Sequence, residues 1–424
     1  MPVETLTFGC RLNLVESEAM QARAEAAGLR DIAIVNSCAV TAEAVRQASQ
    51  AIRRLGREQP DRPVIVSGCA AQIEPARFAA MPEVAAVLGN AEKLEPENWR
   101  RLAASNSLRG GAVRAPEEKL QVGDILQARG AAPQRTRALA EHTRGFLQVQ
   151  NGCDHRCTFC VIPLGRGNAR SSAVEDVIAQ ARALVAEGAR EIVLTGVDLT
   201  SYGRERPGTP SLGALVRSLL AALPELPRLR LSSLDAVEID DELRDLVATE
   251  PRLMPHLQLS LQSGDDLILK RMKRRHGRAD AVRFCAEMRA LRPEIVFGAD
   301  LIAGFPTEEE AMFSRTLALI EECGLSYVHG FPFSARPGTP AARMPQLPGE
   351  IVRERAQRLR DAAQAAHRRH LEARIGRKLA VLTERGDSGR AEDFTLVRFG
   401  HHVPAGRILP VTATSCGDKA LLAA

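Results

Sequence analysis

Six of the nine cysteines in this 424-residue sequence carry a pattern. Cys153, Cys157 and Cys160 stand in GCDHRCTFC, a C-x3-C-x2-C spacing. Three thiols this close must serve a metal. Zinc in a structural site takes four ligands, and no second C-x-x-C follows to complete a set. His155 lies between the thiols, too near them along the chain for an unstrained tetrahedral site. A tight loop of three thiolates suits instead a 4Fe-4S cluster that leaves one iron without a protein ligand. Cys10, Cys38 and Cys69 each close a short β-rich run: VETLTFGC, DIAIVNSC and RPVIVSGC. Any one of them is compatible with buried packing, a common use of cysteine. Three in one register favour a metal site. Cys285, Cys323 and Cys416 lie on helix-like or terminal segments and are given no metal role.

The elements that must position these thiols follow from periodicity. LNLVESEAMQARAEAAG and TAEAVRQASQAIRRLGRE have apolar residues at helical spacing and end near Gly28 and Gly56. Strand, helix and strand alternate, which implies an α/β fold with a doubly wound parallel sheet. Ligands gather beyond the carboxyl ends of such strands, where Cys10, Cys38 and Cys69 fall. From Asn90 to Thr143 periodicity fades, and NSLRGGAVRAPEE and LQARGAAPQRT read as a connection holding one strand or helix. RGFLQVQNGC then opens a series of strand candidates: EIVLTGV, LRLSSLD, HLQLSLQS, IVFGADLIAGF and YVHGFPFS. Alternating with amphipathic helices, they predict a six-fold parallel barrel, open or closed, with its chemistry on loops at the strand C-termini. A basic helix, GEIVRERAQRLRDAAQAAHRRHLEARIG, leads into short strands that suit a small β-barrel. The expected divisions are 1–125, 126–370 and 371–424.

Composition excludes some classes. No apolar run approaches the roughly 18 residues that cross a bilayer, and MPVETLTFGC lacks the basic start and apolar core of a signal peptide. The expected location is the reducing cytoplasm, without disulfides. The net charge of +5 lies in Glu350–Ala424, which holds 14 Lys and Arg against 9 Asp and Glu; the rest of the chain holds 43 of each. This asymmetry fits a polyanionic partner or a solvated basic helix. KRMKRRHGR, Lys270–Arg278, suits an RNA-stem clamp or a solvated helix end. One Trp and two Tyr leave little for base stacking, so recognition would rest on phosphate contacts and a pocket.

CDHRCTFC resembles the C-x3-C-x-aromatic-C loop of radical S-adenosylmethionine enzymes, with Phe159 as the aromatic residue. The resemblance implies that the amino and carboxylate groups of S-adenosylmethionine bind the open iron. Electron transfer then yields a 5′-deoxyadenosyl radical. With a three-cysteine sheet before this loop and a TRAM-like barrel after it, nearly the whole chain resembles the radical S-adenosylmethionine methylthiotransferases. That family places a second 4Fe-4S cluster on Cys10, Cys38 and Cys69, whose open iron carries the sulfur to be inserted. It uses one S-adenosylmethionine as methyl donor and a second as radical source. TFGCRLNLVES and VNSCAVTAEA, through Arg11, Leu12, Asn13, Val40 and Thr41, resemble the branch that modifies N6-threonylcarbamoyladenosine in tRNA. The isopentenyladenosine branch more often reads GC-Q-M-N, and the ribosomal-protein branch GC-x-K-N.

The same resemblance implies a set of contacts. Gly196 and Asp198 in LTGVDLTSYG lie where the methionine amino group binds, and Gln262 and Ser263 in LSLQSG meet ribose or methionine atoms. In DLIAGFPTEEE, Gly304 lets the backbone close on adenine and Asp300 sits inside the barrel, where burial demands a partner. Arg166 and Arg170 in IPLGRGNARS and Arg336 in FPFSARPGTPA face substrate. Turns, caps and solvated arginines are the plain structural roles of the same residues. The implied partners are tRNA and a low-potential electron donor such as flavodoxin or ferredoxin, with the sulfur donor open. Alternatives are the same chemistry on isopentenyladenosine tRNA or a ribosomal-protein aspartate, and a zinc-containing RNA-binding protein without catalysis.

Overall fold

The computed structural model describes residues 2–105, 108, 115–131, 134–135 and 143–423. Strands β1 (Glu4–Thr7), β2 (Ala33–Ser37), β3 (Val64–Gly68), β4 (Val84–Leu88) and β5 (Leu120–Gln121) form one parallel sheet in sequential order. β2 and β3 are buried along their whole length, as strands covered on both faces must be. On one face α1 (Arg11–Ala26) places Met20 and Ala24 against Ile34 and Ile65. On the other, α2 (Ala42–Glu58) places Val45, Ala48 and Ile52 against Ala33, Val35 and Val66. The Thr41 hydroxyl caps α2 by accepting the Ala44 N–H at 3.2 Å. Short helices α3 (Cys69–Ile73) and α4 (Pro75–Ala79) follow β3. Because β1, β2 and β3 are neighbours, their following residues are held side by side beyond one sheet edge.

The connection after Asn90 holds more than the single element expected. α5 (Pro96–Ala104) buries Trp99 in the first sheet's core, and β5 completes that sheet. β6 (Gln134–Arg135) crosses over to pair antiparallel with β7 (Arg144–Gln148). Strands of two residues have no period to read. Much of the Gly- and Arg-rich stretch between them lies outside the described residues.

After β7 a small antiparallel pair, β8 (Gln150–Asn151) and β9 (Arg170–Ser171), brackets the three-cysteine loop and α6 (Ile162–Arg166). The barrel strands are β7, β10 (Glu191–Thr195), β11 (Arg228–Leu231), β12 (His256–Gln262), β13 (Val296–Ala303) and β14 (Leu325–Pro332), parallel throughout. Isolated parallel bridges Leu229–Leu253 and Leu234–Leu259 join β11 to β12. The barrel is open, since β6 rather than β14 is the outer neighbour of β7. α1 packs at that side against β6 and β7. Leu147, Ile192, Leu229 and Leu257 pack outward against the helices. By strand alternation Phe146, Val193, Arg230 and Gln258 face the lumen.

The helix Gly349–Glu372 packs on β14 and leads into a closed barrel of β15 (Lys378–Glu384), β16 (Ser388–Arg390), β17 (Leu396–Phe399), β18 (Ile408–Cys416) and β19 (Leu421–Ala423). Its tight turn before β17 puts Phe394 at φ +73° and sends the ring into the floor of the larger barrel. There Phe394 stacks on His256, the first residue of β12, with centroids 5.1 Å apart. Arg228 joins the two barrels by donating to Arg390 O at 3.1 Å and Ala380 O at 2.6 Å. No helix among the described residues is long and apolar enough to cross a membrane.

Candidate active site

The first three thiols occupy the carboxyl edge of the N-terminal sheet, Cys38 and Cys69 buried and Cys10 exposed. Gly9 makes room for them: a Cβ there would lie 2.8 Å from Cys38 Sγ. Asn90 Nδ2 donates to Gly165 O at 2.5 Å and reaches Cys69 Sγ at 3.7 Å. A Cβ on Gly165 would sit 3.2 Å from Cys69 Cβ, so α6 approaches this edge as closely as its glycine allows. The barrel's cysteine loop therefore lies directly over the first thiol set. Cys69 and Cys160 are near enough for each to bear on the charges around the other.

The barrel loop is cinched by backbone contacts. Cys153 N–H donates to Gly167 O at 3.1 Å, Thr158 N–H to Met272 O at 3.1 Å, and Asp154 Oδ1 accepts Ala169 N–H at 3.0 Å. Burial and neighbouring thiols push the Cys38 thiol up to about 11 and Cys160 to about 12. Cys157 moves the other way: burial opposes it, but hydrogen bonds from His155 and Arg274 hold its thiol below the usual range. Each set offers three sulfur donors and no fourth cysteine, and the one histidine in the second loop, His155, is engaged by Cys157, Asp198 and Glu238. That donor chemistry, with the space left by Gly9, fits a 4Fe-4S cluster with one iron open. Binding iron would release the protons that burial otherwise retains.

Two carboxylates that sequence reasoning missed, Asp235 and Glu238, join the expected Asp198 around this loop. His155 Nε2 lies 3.3 Å from Asp198 Oδ2 and 3.2 Å from Glu238 Oε2. Hydrogen bonding to Cys157 and Glu238 raises the imidazole to about 10, keeping it cationic. Arg274 donates to Asp235 Oδ2 at 2.6 Å and reaches Cys157 Sγ at 3.6 Å. The basic run Lys270–Arg278 is thus partly internal, with Lys270, Lys273 and Arg275 exposed. Arg275 pairs with Glu238, and Arg278 with Glu322 and the Gly264 carbonyl. Hydrophilic sequence alone does not reveal acidic partners on other loops.

The remaining expected residues separate into three groups. Asp198 stays by the thiols, receiving Cys153 Sγ at 3.6 Å and Ser201 Oγ at 2.6 Å. Gly196 admits Gln150, whose Oε1 accepts the Val197 and Asp198 N–H groups at 2.9 Å. Asp300 has the partners its burial requires, Gln258 Nε2 at 2.9 Å and His329 Nδ1 at 3.0 Å. Gln262, at φ +67°, ends β12 half-buried, and Phe159 packs with Phe305 and Phe333.

Ser263 and Gly304, on the barrel loops, make close contacts. The buried Ser263 hydroxyl accepts Asp265 N–H at 3.2 Å and meets Thr316 Oγ1 at 3.3 Å. Gly304 makes its close approach to Val352 of the long C-terminal helix.

Two of the three arginines expected at the substrate, Arg166 and Arg336, are buried. Arg166, 2% exposed, gives both terminal nitrogens to Glu16 and Asn13 of α1, at 2.7 and 2.6 Å. Arg170 donates to the carbonyls of Arg166 and Asn168, both at 2.9 Å. Arg336, 5% exposed, reaches Glu74 at 3.3 Å. Arg166 and Arg336 bind the N-terminal sheet domain to the barrel, so neither guanidinium is free for substrate.

Where these parts meet, guanidiniums gather around the Phe394 ring. The side chain of Arg11, next to Cys10, is solvent-exposed yet lies 5.5 Å from the Phe146 ring and 5.4 Å from Phe394. Desolvation and the nearby Arg144, Arg230 and Arg390 depress its guanidinium to about 10.

Comparison with known proteins agrees with this arrangement. The Radical SAM superfamily profile matches residues 147–320, and that of Uncharacterized protein family UPF0004 matches 3–89. The threonylcarbamoyladenosine tRNA methylthiotransferase MtaB of Rickettsia prowazekii is 45% identical over 96% of this chain and 93% of its own length. A tRNA-2-methylthio-N(6)-dimethylallyladenosine synthase of Cereibacter sphaeroides is 36% identical over 89% of this chain and 86% of its own. The solved structure of the radical S-adenosylmethionine methyltransferase TsrM from Kitasatospora setae, with cobalamin and a [4Fe-4S] cluster bound, shares the fold. Its TM-score is 0.53 at 17% identity, over 78% of this chain and 69% of that one. Two facing three-cysteine sets, an open barrel and relatives that span the chain lead to one conclusion: this protein belongs to the radical S-adenosylmethionine methylthiotransferases.

Proposed function

We propose that this protein adds a methylthio group to C2 of N6-threonylcarbamoyladenosine at position 37 of tRNA, beside the anticodon. The observation that carries the reading is the apposition of the two thiol sets across α6, with Cys69 and Gly165 in contact. Similarity to MtaB of Rickettsia prowazekii, at 45% identity, supports the choice of nucleoside. In this reading residues 1–125 carry Cys10, Cys38 and Cys69, residues 126–370 carry Cys153, Cys157 and Cys160, and residues 371–424 form the TRAM-like barrel. The protein acts in the cytoplasm and takes electrons from a low-potential donor such as flavodoxin or ferredoxin.

Two 4Fe-4S clusters and S-adenosylmethionine, when bound, supply one-electron chemistry, sulfur and methyl. The chain's own residues bind and orient. Three thiolates per set hold each cluster and leave one iron open. Gln150 fixes the Val197–Asp198 backbone, which keeps the Asp198 carboxylate beside Cys153. The imidazolium of His155 and the guanidinium of Arg274 counter the negative charge of the thiolates. Arg166 and Glu16 hold the two halves in register, so the distance between the thiol sets is set by a buried ion pair. No side-chain acid or base is demanded.

The test is methylthiolation by the reconstituted protein of anticodon stem-loops carrying N6-threonylcarbamoyladenosine or N6-isopentenyladenosine, and of the ribosomal-protein substrate. Product on the first alone is expected. Product confined to either of the others overturns the reading.

A further inference from the structure

The geometry points to Arg11 as the residue that selects the substrate, by binding the carboxylate of its threonyl group. This rests on the reading that N6-threonylcarbamoyladenosine is the substrate, and it names the group that recognises it.

Four guanidiniums surround the Phe394 ring: Arg11 at 5.4 Å, Arg144 at 5.6 Å, Arg230 at 5.1 Å and Arg390 at 4.5 Å. The carboxylates beside them are committed elsewhere. Glu191 holds Arg230 through two bonds of 3.0 Å, and Glu384 holds Arg144 at 2.8 Å. Arg390 donates to Phe394 O at 3.1 Å. Arg11 has no carboxylate or hydrogen-bond partner among the described residues; its contacts are two aromatic rings.

The cluster also carries surplus positive charge: four guanidiniums stand beside two carboxylates, Glu191 and Glu384. Cations gathered without full neutralisation repel, and an anion beside the exposed Arg11 lowers that repulsion. Arg11 is the free member, its five donors matching a carboxylate in a bidentate fork.

Its place in the chain fits the task. Arg11 directly follows Cys10, so an adenine presented to that thiol set has its N6 substituent within reach of a long side chain. Of the candidate substrates, the threonylcarbamoyl group carries an anion and the isopentenyl group is a hydrocarbon. An unpaired arginine favours the first and leaves the second with a desolvated charge. Arg166, expected from sequence for this role, is committed to Glu16 and Asn13.

The experiment compares two anticodon stem-loops, one bearing N6-threonylcarbamoyladenosine and one bearing its threonine primary amide, with the cluster-loaded wild type, Arg11→Gln and Arg11→Lys. The readout is the ratio of kcat/KM for acid over amide within each protein, from which cofactor loading and folding cancel. Wild type should prefer the acid by roughly 10- to 100-fold. Arg11→Gln should bring the ratio close to one, and Arg11→Lys should restore part of it. A ratio unchanged in Arg11→Gln overturns the assignment: the carboxylate is then read elsewhere, and a role for Arg11 toward the carboxylate of S-adenosylmethionine or a tRNA phosphate would reduce both substrates alike. A wild type inactive on both stem-loops but active on the isopentenyladenosine stem-loop overturns the substrate reading itself.

Discussion

A cysteine at the end of a buried strand is placed by the strand, as Cys38 is by β2 and Cys69 by β3, whereas Cys153, Cys157 and Cys160 are placed by a loop tied down through its backbone. Replacing Cys157 with Ala removes one of three donors from the barrel loop and should abolish cleavage of S-adenosylmethionine, read as 5′-deoxyadenosine by chromatography. Replacing Cys38 with Ala should leave that cleavage within a few-fold of wild type while methylthio product falls below detection. Methylthiolated nucleoside from Cys38→Ala would contradict the assignment of the sulfur site. The thiols were legible because their spacing and strand register are local properties. Arg166 was not, since IPLGRG reads as a surface turn and its partner Glu16 lies 150 residues away. Arg11 was legible only as a mark of the branch. That it lies beside Phe146 and Phe394 follows from no local pattern.

At the scale of elements, α1, α6 and the short helix around Lys93 meet on one buried carboxylate. Burial pushes Glu16 up, but Arg166 and Lys93, both at 2.7 Å, outweigh it and hold the carboxyl at about 2. A carboxyl held below its unfolded value of about 4.3 adds stability above that pH, and the contribution is lost as pH falls toward 2. Urea unfolding between pH 6 and about 3 should therefore show stability declining with acid. In Glu16→Gln that part of the decline should disappear, and stability near neutrality should fall by roughly 3–5 kcal/mol because two buried cations lose their counter-charge. An identical pH dependence in both proteins would show that the ion pair does not hold the halves together. The alternation of strands and helices was readable from period alone. β5 and β6, which join the sheets, were not, because each is two residues long and exists only through its neighbour.

At the scale of the whole molecule, three units meet around one ring: the N-terminal sheet domain brings Arg11, the open barrel brings His256, Arg144 and Arg230, and the C-terminal barrel supplies Phe394 itself. This use of the last fifty residues was hidden in the sequence, where EDFTL reads as an ordinary turn. Phe394→Ala should empty the space between His256 and Tyr327 and cost about 3–5 kcal/mol in thermal or urea unfolding. A change below about 0.5 kcal/mol would mean the ring is not a structural plug.

The central claim concerns one nucleoside, and mass spectrometry of tRNA nucleosides from cells with and without the gene tests it most directly. Loss of 2-methylthio-N6-threonylcarbamoyladenosine with accumulation of N6-threonylcarbamoyladenosine is the predicted result. An unchanged methylthio form, or a loss confined to the isopentenyladenosine derivative, would contradict it.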